Sequence, residues 1–268
     1  MEIIKEGVRI DRLFKSFKEN FKGSSYDSLL PLPMRLDNAK VCEQFRTFIT
    51  DTVVDWVDAE VLAVWDRVGE VTSPNLVLPI TVEPYKPRLC HDERFLNLWT
   101  FKLYHPPDLP KYVLPGHFQT SFDNKSDYEH VLLHPSSRTF FGLEWNFLFC
   151  TLPFGWKASV YIYIYHNLGL AVTSAALLFG VPVSQYIDDQ HVSQLCRAPA
   201  SFTLSSNRVL AEAAAYILCY LIIEAGYFIA IAKSQCVPSI VIRLLGFLAI
   251  PCAKLSFFCL TRNSSSRC

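Results

Sequence analysis

The pattern of apolar and polar positions changes character near residue 70. Before it, charged residues interrupt short apolar runs. Over 43–65 the apolar residues Phe45, Phe48, Ile49, Val53, Trp56 and Val57 recur at helical spacing, with Asp51, Asp55, Asp58 and Glu60 making a solvated face between them. The pattern predicts a helical N-terminal extension over 1–70, either a brace on the neighbouring domain or a linker from a larger polyprotein. From Val71 the texture becomes strand-like. Residues 75–82 read as a strand, and Pro79 predicts that it lies at a sheet edge, since proline cannot donate to a ladder. Lys86 falls in a Pro-flanked turn and Arg88 opens the returning strand. Four prolines at 106, 107, 110 and 115 mark a connecting loop. An apolar strand then ends on Asp123, a short helical turn comes next, and 136–150 reads as a second hairpin. Residues 152–159 form a glycine-bearing turn that opens a helix over 158–178.

Further on, two β-prone runs flank Gln185-Tyr186-Ile187-Asp188-Asp189-Gln190, which reads as a hairpin with an acidic tip. Ser205, Ser206 or Asn207 caps a helix running to about Ala225, which Gly226 ends. A strand over 227–232 leads to Lys233-Ser234. Residues 241–248 are a last apolar strand, and 261–268 read as a disordered tail. The apolar runs 160–183 and 209–232 are each long enough to cross a bilayer. His166, Asn167, Gly180 and Pro182 interrupt the first, and the second carries Glu212 and Glu224. Carboxylates are costly in lipid, so a buried helix running into a strand is the expected structure; a multispanning membrane protein is the rival.

Composition narrows the class. The chain has 268 residues, 51% hydrophobic and 14% aromatic, which provides a sizeable core and excludes disorder. Lys+Arg and Asp+Glu are both 25. With no basic excess, any groove for nucleic acid has to be a local one. The nine cysteines contain no C-x-x-C pair and read as reduced intracellular thiols. The first residues form no apolar leader. The expected location is intracellular, in cytoplasm or nucleus, and not secreted.

The acidic hairpin carries the candidate chemistry. Adjacent carboxylates repel, more so when buried, and a divalent cation reverses that balance. A solvated acidic turn gives the same string. A third carboxylate on another strand separates the two readings, and Asp123, at its strand end, supplies one. The hairpin with Lys86 and Arg88 offers cations able to grip phosphate, or is an ordinary charged hairpin.

Taken in order, these pieces resemble the polymerase core of reverse transcriptases. The resemblance rests on Asp123 with Tyr128, Leu152-Pro153-Phe154-Gly155-Trp156-Lys157, Tyr186-Ile187-Asp188-Asp189, Gly226 with Lys233-Ser234, and Leu245-Gly246-Phe247. The segment 88–97, with Arg88, Asp92, Arg94 and Asn97, is similar to the family's fingers. The wording is most like the DIRS-type retrotransposons, and the resemblance covers roughly 70–258. It implies an α+β fingers–palm fold with an antiparallel palm sheet over 71–260, and RNA-directed DNA synthesis. Asp123, Asp188 and Asp189 would hold two Mg²⁺, with Mn²⁺ as an alternative. Arg88 and Lys86 would bind the deoxynucleoside triphosphate. Tyr128 would exclude the ribose 2′-hydroxyl. Phe154 and Gly155 would line the nucleotide and template pocket. Lys233 would protonate the leaving pyrophosphate, and Leu245-Gly246-Phe247 would grip the primer. The implied partners are an RNA/DNA template–primer and the thumb, ribonuclease H and recombinase domains of a parent element. Val160 and Asp127 depart from the family's proline and glycine at those positions. An inactive remnant that keeps the fold or nucleic-acid binding is the alternative function.

Overall fold

The computed structural model describes residues 6–65, 73–101, 117–164, 168–187, 189–194, 204–244, 247–249 and 261–262. In chain order the principal elements are β1 (Met34–Arg35), α1 (Arg46–Asp58), β2 (Leu62–Val64), β3 (Leu76–Leu78), β4 (Ile80–Val82), β5 (Leu89–His91), α2 (Leu96–Trp99), β6 (Phe118–Lys125), β7 (Gly142–Leu143) and β8 (Phe147–Phe149). They continue with α3 (Lys157–Ile162), α4 (Leu168–Leu178), β9 (Val183–Tyr186), β10 (Asp189–Gln194), α5 (Leu204–Glu224), β11 (Phe228–Ile229), β12 (Gln235–Ser239), β13 (Ile242–Leu244), β14 (Phe247–Ala249) and β15 (Thr261–Arg262). The chain forms two compact units, residues 1–104 with 128–162, and residues 105–127 with 163–268.

In the first unit a mixed sheet runs in the order β1-β3-β7-β8-β2. The expected helical texture of the N-terminal residues is confined largely to α1. Their other contribution is strands: β1 pairs in parallel with β3, and β2 pairs antiparallel with β8. The expected edge strand at 75–82 is also corrected. β3 lies between β1 and β7 and is fully buried, while Pro79 separates it from β4, which pairs with β5 in another sheet. Proline has no N–H, so the ladder stops there and the chain changes sheets. The core is apolar and aromatic. Phe17, Tyr26, Phe95 and Trp99 interlock with ring centroids 4.9–6.1 Å apart, and the Trp99 indole donates to Ser28 Oγ.

In the second unit an antiparallel sheet runs β9-β10-β6, and the far side of β6 pairs with β11 and β12. β6 is therefore central. The expected apolar strand ending on Asp123 runs on to Lys125, and it is not apolar, since Gln119, Thr120, Ser121 and Asn124 are all buried along it. α5 packs on β6, β10 and β12 and buries Ala211, Ala214, Ala215, Leu218 and Ile222. Its other face leaves Val209, Tyr216, Tyr220 and Ile223 exposed. The three residues expected to cap α5 lie inside it. At its far end Gly226 has φ +86° and its N–H meets Ile223 O, which leaves the terminal turn as the glycine predicts. Among the described residues no helix is long and apolar enough to cross a membrane. The helix expected over 158–178 comprises α3, two π-helical residues and α4, separated by residues outside those described. The last apolar strand is two strands, β13 and β14, paired antiparallel.

Candidate functional site

The acidic hairpin folds as its alternation predicts, with Tyr186 and Asp189 as the last paired residues of β9 and β10. Ile187 follows β9 in the turn. Ile187 has φ +54°, a region that a β-branched side chain rarely occupies. Such a conformation costs about 1–3 kcal/mol and persists only where its surroundings impose it. Gln185 Nε2 donates to Ile187 O at 3.0 Å and helps impose it. Asp188 lies outside the described residues, as do Leu245 and Gly246 of the expected primer grip.

Asp189 is not a tip residue. It starts β10, directly opposite Asp123 in the β10/β6 ladder. Directly paired residues project to the same face of a sheet, with Cα atoms about 4.5–5.5 Å apart in an antiparallel pair. Two carboxylates are thereby brought together from segments 66 residues apart, counting from 123 to 189. Like charges in this position are unfavourable unless a cation offsets them. Lys233 supplies part of that offset, its Nζ lying 3.2 Å from Asp123 Oδ1. The Asp123 side chain is 17% exposed and that of Lys233 is 69% exposed. The turn bearing Lys233 is fastened to Asp123 by backbone bonds. Ala230 N–H donates to Asp123 O at 2.8 Å, and Asp123 N–H donates to Ser234 Oγ at 2.9 Å. The sequence pointed to the Lys233-Ser234 dipeptide but gave Ser234 no part in holding Asp123.

Behind this pair the same face of the sheet remains polar. Ser121 and Gln119 lie further down β6 from Asp123, opposite His191 and Ser193 of β10. His191 Nε2 meets Gln119 Oε1 at 3.1 Å, and His117 Nδ1 meets Ser193 Oγ at 2.9 Å. Burial pushes the His191 imidazole down to about 4, so it is neutral at physiological pH.

Among the described residues no cluster of three or more His, Cys, Asp or Glu side chains occurs. The donor set present is two opposed carboxylates, which are hard oxygen ligands. That chemistry suits Mg²⁺ or Mn²⁺, ions commonly held by one or two carboxylates with water and phosphate completing the shell.

The other predicted residues belong to the first unit. Lys86 and Arg88 are exposed in the loop joining β4 to β5, and Glu83 N–H closes the loop on Arg88 O at 3.1 Å. Tyr128 lies in a 3₁₀ turn (Asp127–His130), its ring centroid 5.9 Å from that of Phe154. Phe154 is 71% exposed, at the start of the turn before α3. Gly155 has φ +105°, and a Cβ there would lie 2.8 Å from His91 O. The glycine is thus required both by conformation and by close approach. Asn97 clamps the turn from α2: its amide donates to Gly155 O at 3.1 Å and its Oδ1 accepts from Lys157 N–H at 2.9 Å. Lys157 Nζ also donates to Asn97 O. Burial, with Lys15 nearby, lowers the Lys157 pKa. Beneath the turn, His91 Nδ1 and Glu93 Oε1 lie 2.6 Å apart, both almost fully buried. Nothing in the local spacing announced that pair.

No protein-family profile matches the chain, and no curated protein matches it by sequence. Solved structures do match. The foamy viral protease-reverse transcriptase in complex with an RNA/DNA hybrid aligns over 93% of this chain at 16% identity, with a TM-score of 0.62. The same enzyme in complex with double-stranded DNA aligns over 93% at 16% identity, with a TM-score of 0.57. A further foamy viral complex with double-stranded DNA aligns over 83% at 19% identity, with a TM-score of 0.56. The fold is that of a reverse transcriptase. In the terms of that fold, the sheet with Asp123 and Asp189 is the palm, and the β4–β5 hairpin belongs to the fingers. The chain spans 34–53% of the length of these solved reverse transcriptases.

Proposed function

We propose that the chain is the fingers-and-palm part of an RNA-directed DNA polymerase from a retrotransposon, of the DIRS type by the wording of its motifs. The observation that carries this reading is the ladder register that sets Asp189 opposite Asp123 on one face of the central palm strand. The solved structures of the same fold hold double-stranded DNA or an RNA/DNA hybrid, which supports a template–primer as the partner.

Asp123, Asp189 and, from the hairpin tip, Asp188 would hold the two Mg²⁺, or Mn²⁺ in their place. When bound, these ions activate the primer hydroxyl and neutralise charge developing on the leaving group. Lys86 and Arg88, exposed on a short loop, bind the incoming triphosphate as a point charge and a fork of donors. Phe154 and Gly155 present a ring and a stretch of backbone to the nucleotide. Tyr128, whose ring packs near that of Phe154, would exclude a ribose 2′-hydroxyl. The Lys233 ammonium supplies a proton to the departing pyrophosphate from Nζ. Thumb, ribonuclease H and recombinase segments complete the parent element, which acts inside the cell in cytoplasm or nucleus.

Primer extension on poly(rA)·oligo(dT) with Mg²⁺ tests the reading. The expected products are short, made distributively, and lost by about 200 mM salt, because affinity for a template–primer rests on phosphate contacts that salt screens. Asp188→Asn and Asp123→Asn should each remove at least about 99% of the extension, the scale of losing one transition-state electrostatic contact. Extension that is equal in Asp123→Asn and the parent chain would sink the assignment. Tyr128→Val should relax discrimination against ribonucleotides; unchanged discrimination would remove the gate from Tyr128.

A further inference from the structure

The contact between Lys233 and Asp123 bears on more than proton donation. Asp123 and Asp189 face each other, an arrangement that needs a nearby positive charge. Lys233 provides it on Asp123 Oδ1, the kind of atom a divalent cation would use. Its position does not depend on the chance reach of a flexible side chain. The backbone around it is locked to Asp123 on both sides, through Ala230 N–H to Asp123 O and Asp123 N–H to Ser234 Oγ. Within the turn, Ser234 Oγ donates to Ala230 O at 3.0 Å and Lys233 N–H donates to the same carbonyl at 2.9 Å. Asp123 is largely enclosed, whereas the Lys233 side chain is mostly in water. The ammonium can therefore swing away at little cost while the carboxylate stays in place.

We propose that Lys233 is a built-in counter-ion of the palm carboxylates, which competes with the divalent cation for Asp123 and is displaced when that cation binds. The inference rests on the reading of Asp123 as a cation ligand. It adds that Lys233 lowers the affinity for that cation, and that cation entry releases its Nζ from Asp123. Before loading, the ammonium is held on the carboxylate; after loading, it faces solvent and any phosphate there. A Lys233 that served only as a proton donor would have no effect on cation affinity.

The test is Mn²⁺ binding followed by the paramagnetic resonance of free Mn²⁺, on the whole chain without nucleic acid or nucleotide. Lys233→Met should bind Mn²⁺ about two- to fivefold more tightly than the parent, the scale of one solvent-exposed ion pair, and Lys233→Arg should stay near the parent value. The gain should shrink as salt is raised. Equal or weaker binding in Lys233→Met overturns the proposal while leaving the Asp123 assignment intact. A parent chain that binds no Mn²⁺ removes the assignment and the proposal together. An independent arm uses EDTA-treated protein. The melting shifts of Asp123→Asn and Lys233→Met should be non-additive in the double variant, as expected for groups in contact. Additive shifts would show that no ion pair exists in solution, and would overturn the proposal without reference to any metal.

Discussion

The palm sheet and the fingers-type unit fill their interiors with different chemistry. In the fingers-type unit the enclosed side chains include Leu76, Leu78, Ile80, Leu96, Trp99 and Phe141, with His91, Glu93, Thr100 and Ser159 as buried polar residues among them. In the palm the enclosed residues of β6 and β10 include Gln119, Thr120, Gln190, His191 and Ser193. Several of their polar atoms have no hydrogen-bond partner among the described residues, including both ends of the Gln190 amide and Gln119 Nε2. A buried polar group without a partner costs about 1–3 kcal/mol, so this polar stretch of the palm is held at the expense of stability. What its strands provide is register. Six successive pairs from Asp189/Asp123 to Gln194/Phe118 fix the two carboxylates opposite each other. The aromatic cluster fills the interior of one unit, and the ladder of the other holds two like charges at a set spacing.

That contrast can be broken experimentally. The largest effect is expected in the fingers-type core. Trp99→Ala should cost about 3–5 kcal/mol, read as a fall in the denaturation midpoint, because it empties a fully enclosed aromatic site. A loss below about 1 kcal/mol would show that this core is not the stabilising one. The next concerns acid. Burial lowers His191 to about 4 in the folded chain, against about 6.5 when unfolded. The folded state therefore resists protonation. Its stability from this group is fully present above pH 6.5 and is lost as pH falls from there towards 4, by up to about 3 kcal/mol. Denaturation in EDTA across that range should show the fall, and His191→Gln should flatten it. An unchanged profile in the variant would place the acid sensitivity elsewhere.

A smaller effect sharpens the comparison at the turn before α3. Gly155→Ala imposes a Cβ on the His91 carbonyl and a left-handed φ, at about 1–3 kcal/mol. It should also raise KM for nucleotide, since Phe154 is adjacent; a variant with parent-like stability and KM would show that the backbone relaxes freely. The smallest is expected at the surface. Arg35 pairs with Glu144 through Nε and Nη2 at 2.7 and 2.5 Å, and Glu144 is its largest influence, but the arginine lies in water. Arg35→Ala should shift the denaturation midpoint less than Gly155→Ala does in the same assay. A larger loss would mean that the ion pair, not the apolar core, ties β1 to the unit.

Much of the candidate site was legible from short-range pattern. The alternation on either side of Asp188 and Asp189 predicted the hairpin, Gly226 marked the end of α5, and the order of motifs pointed to a reverse transcriptase fold that the solved structures share. Other elements were misread for physical reasons. Pro79 suggested an edge because its missing N–H cannot join a ladder, yet the same missing donor lets a central strand end and the chain enter another sheet. The apolar run of α5 reads as a packed helix, not a membrane span, because Glu212 and Glu224 interrupt it, although local hydropathy alone does not distinguish a face packed on strands from a face left exposed.

The sequence by itself determined which residues carry charge, where the chain turns and which segments alternate, because those properties depend on neighbours a few positions away. Only the tertiary structure decided that Asp189, not the tip of the hairpin, lies opposite Asp123, that Ser234 holds the Asp123 backbone, and that Asn97 clamps the Gly155 turn. Each of those contacts joins residues tens of positions apart. A one-residue slip of strand register would turn one carboxylate to the other face of the sheet, and the pairing that prevents it comes from the assembled ladder rather than from any local pattern.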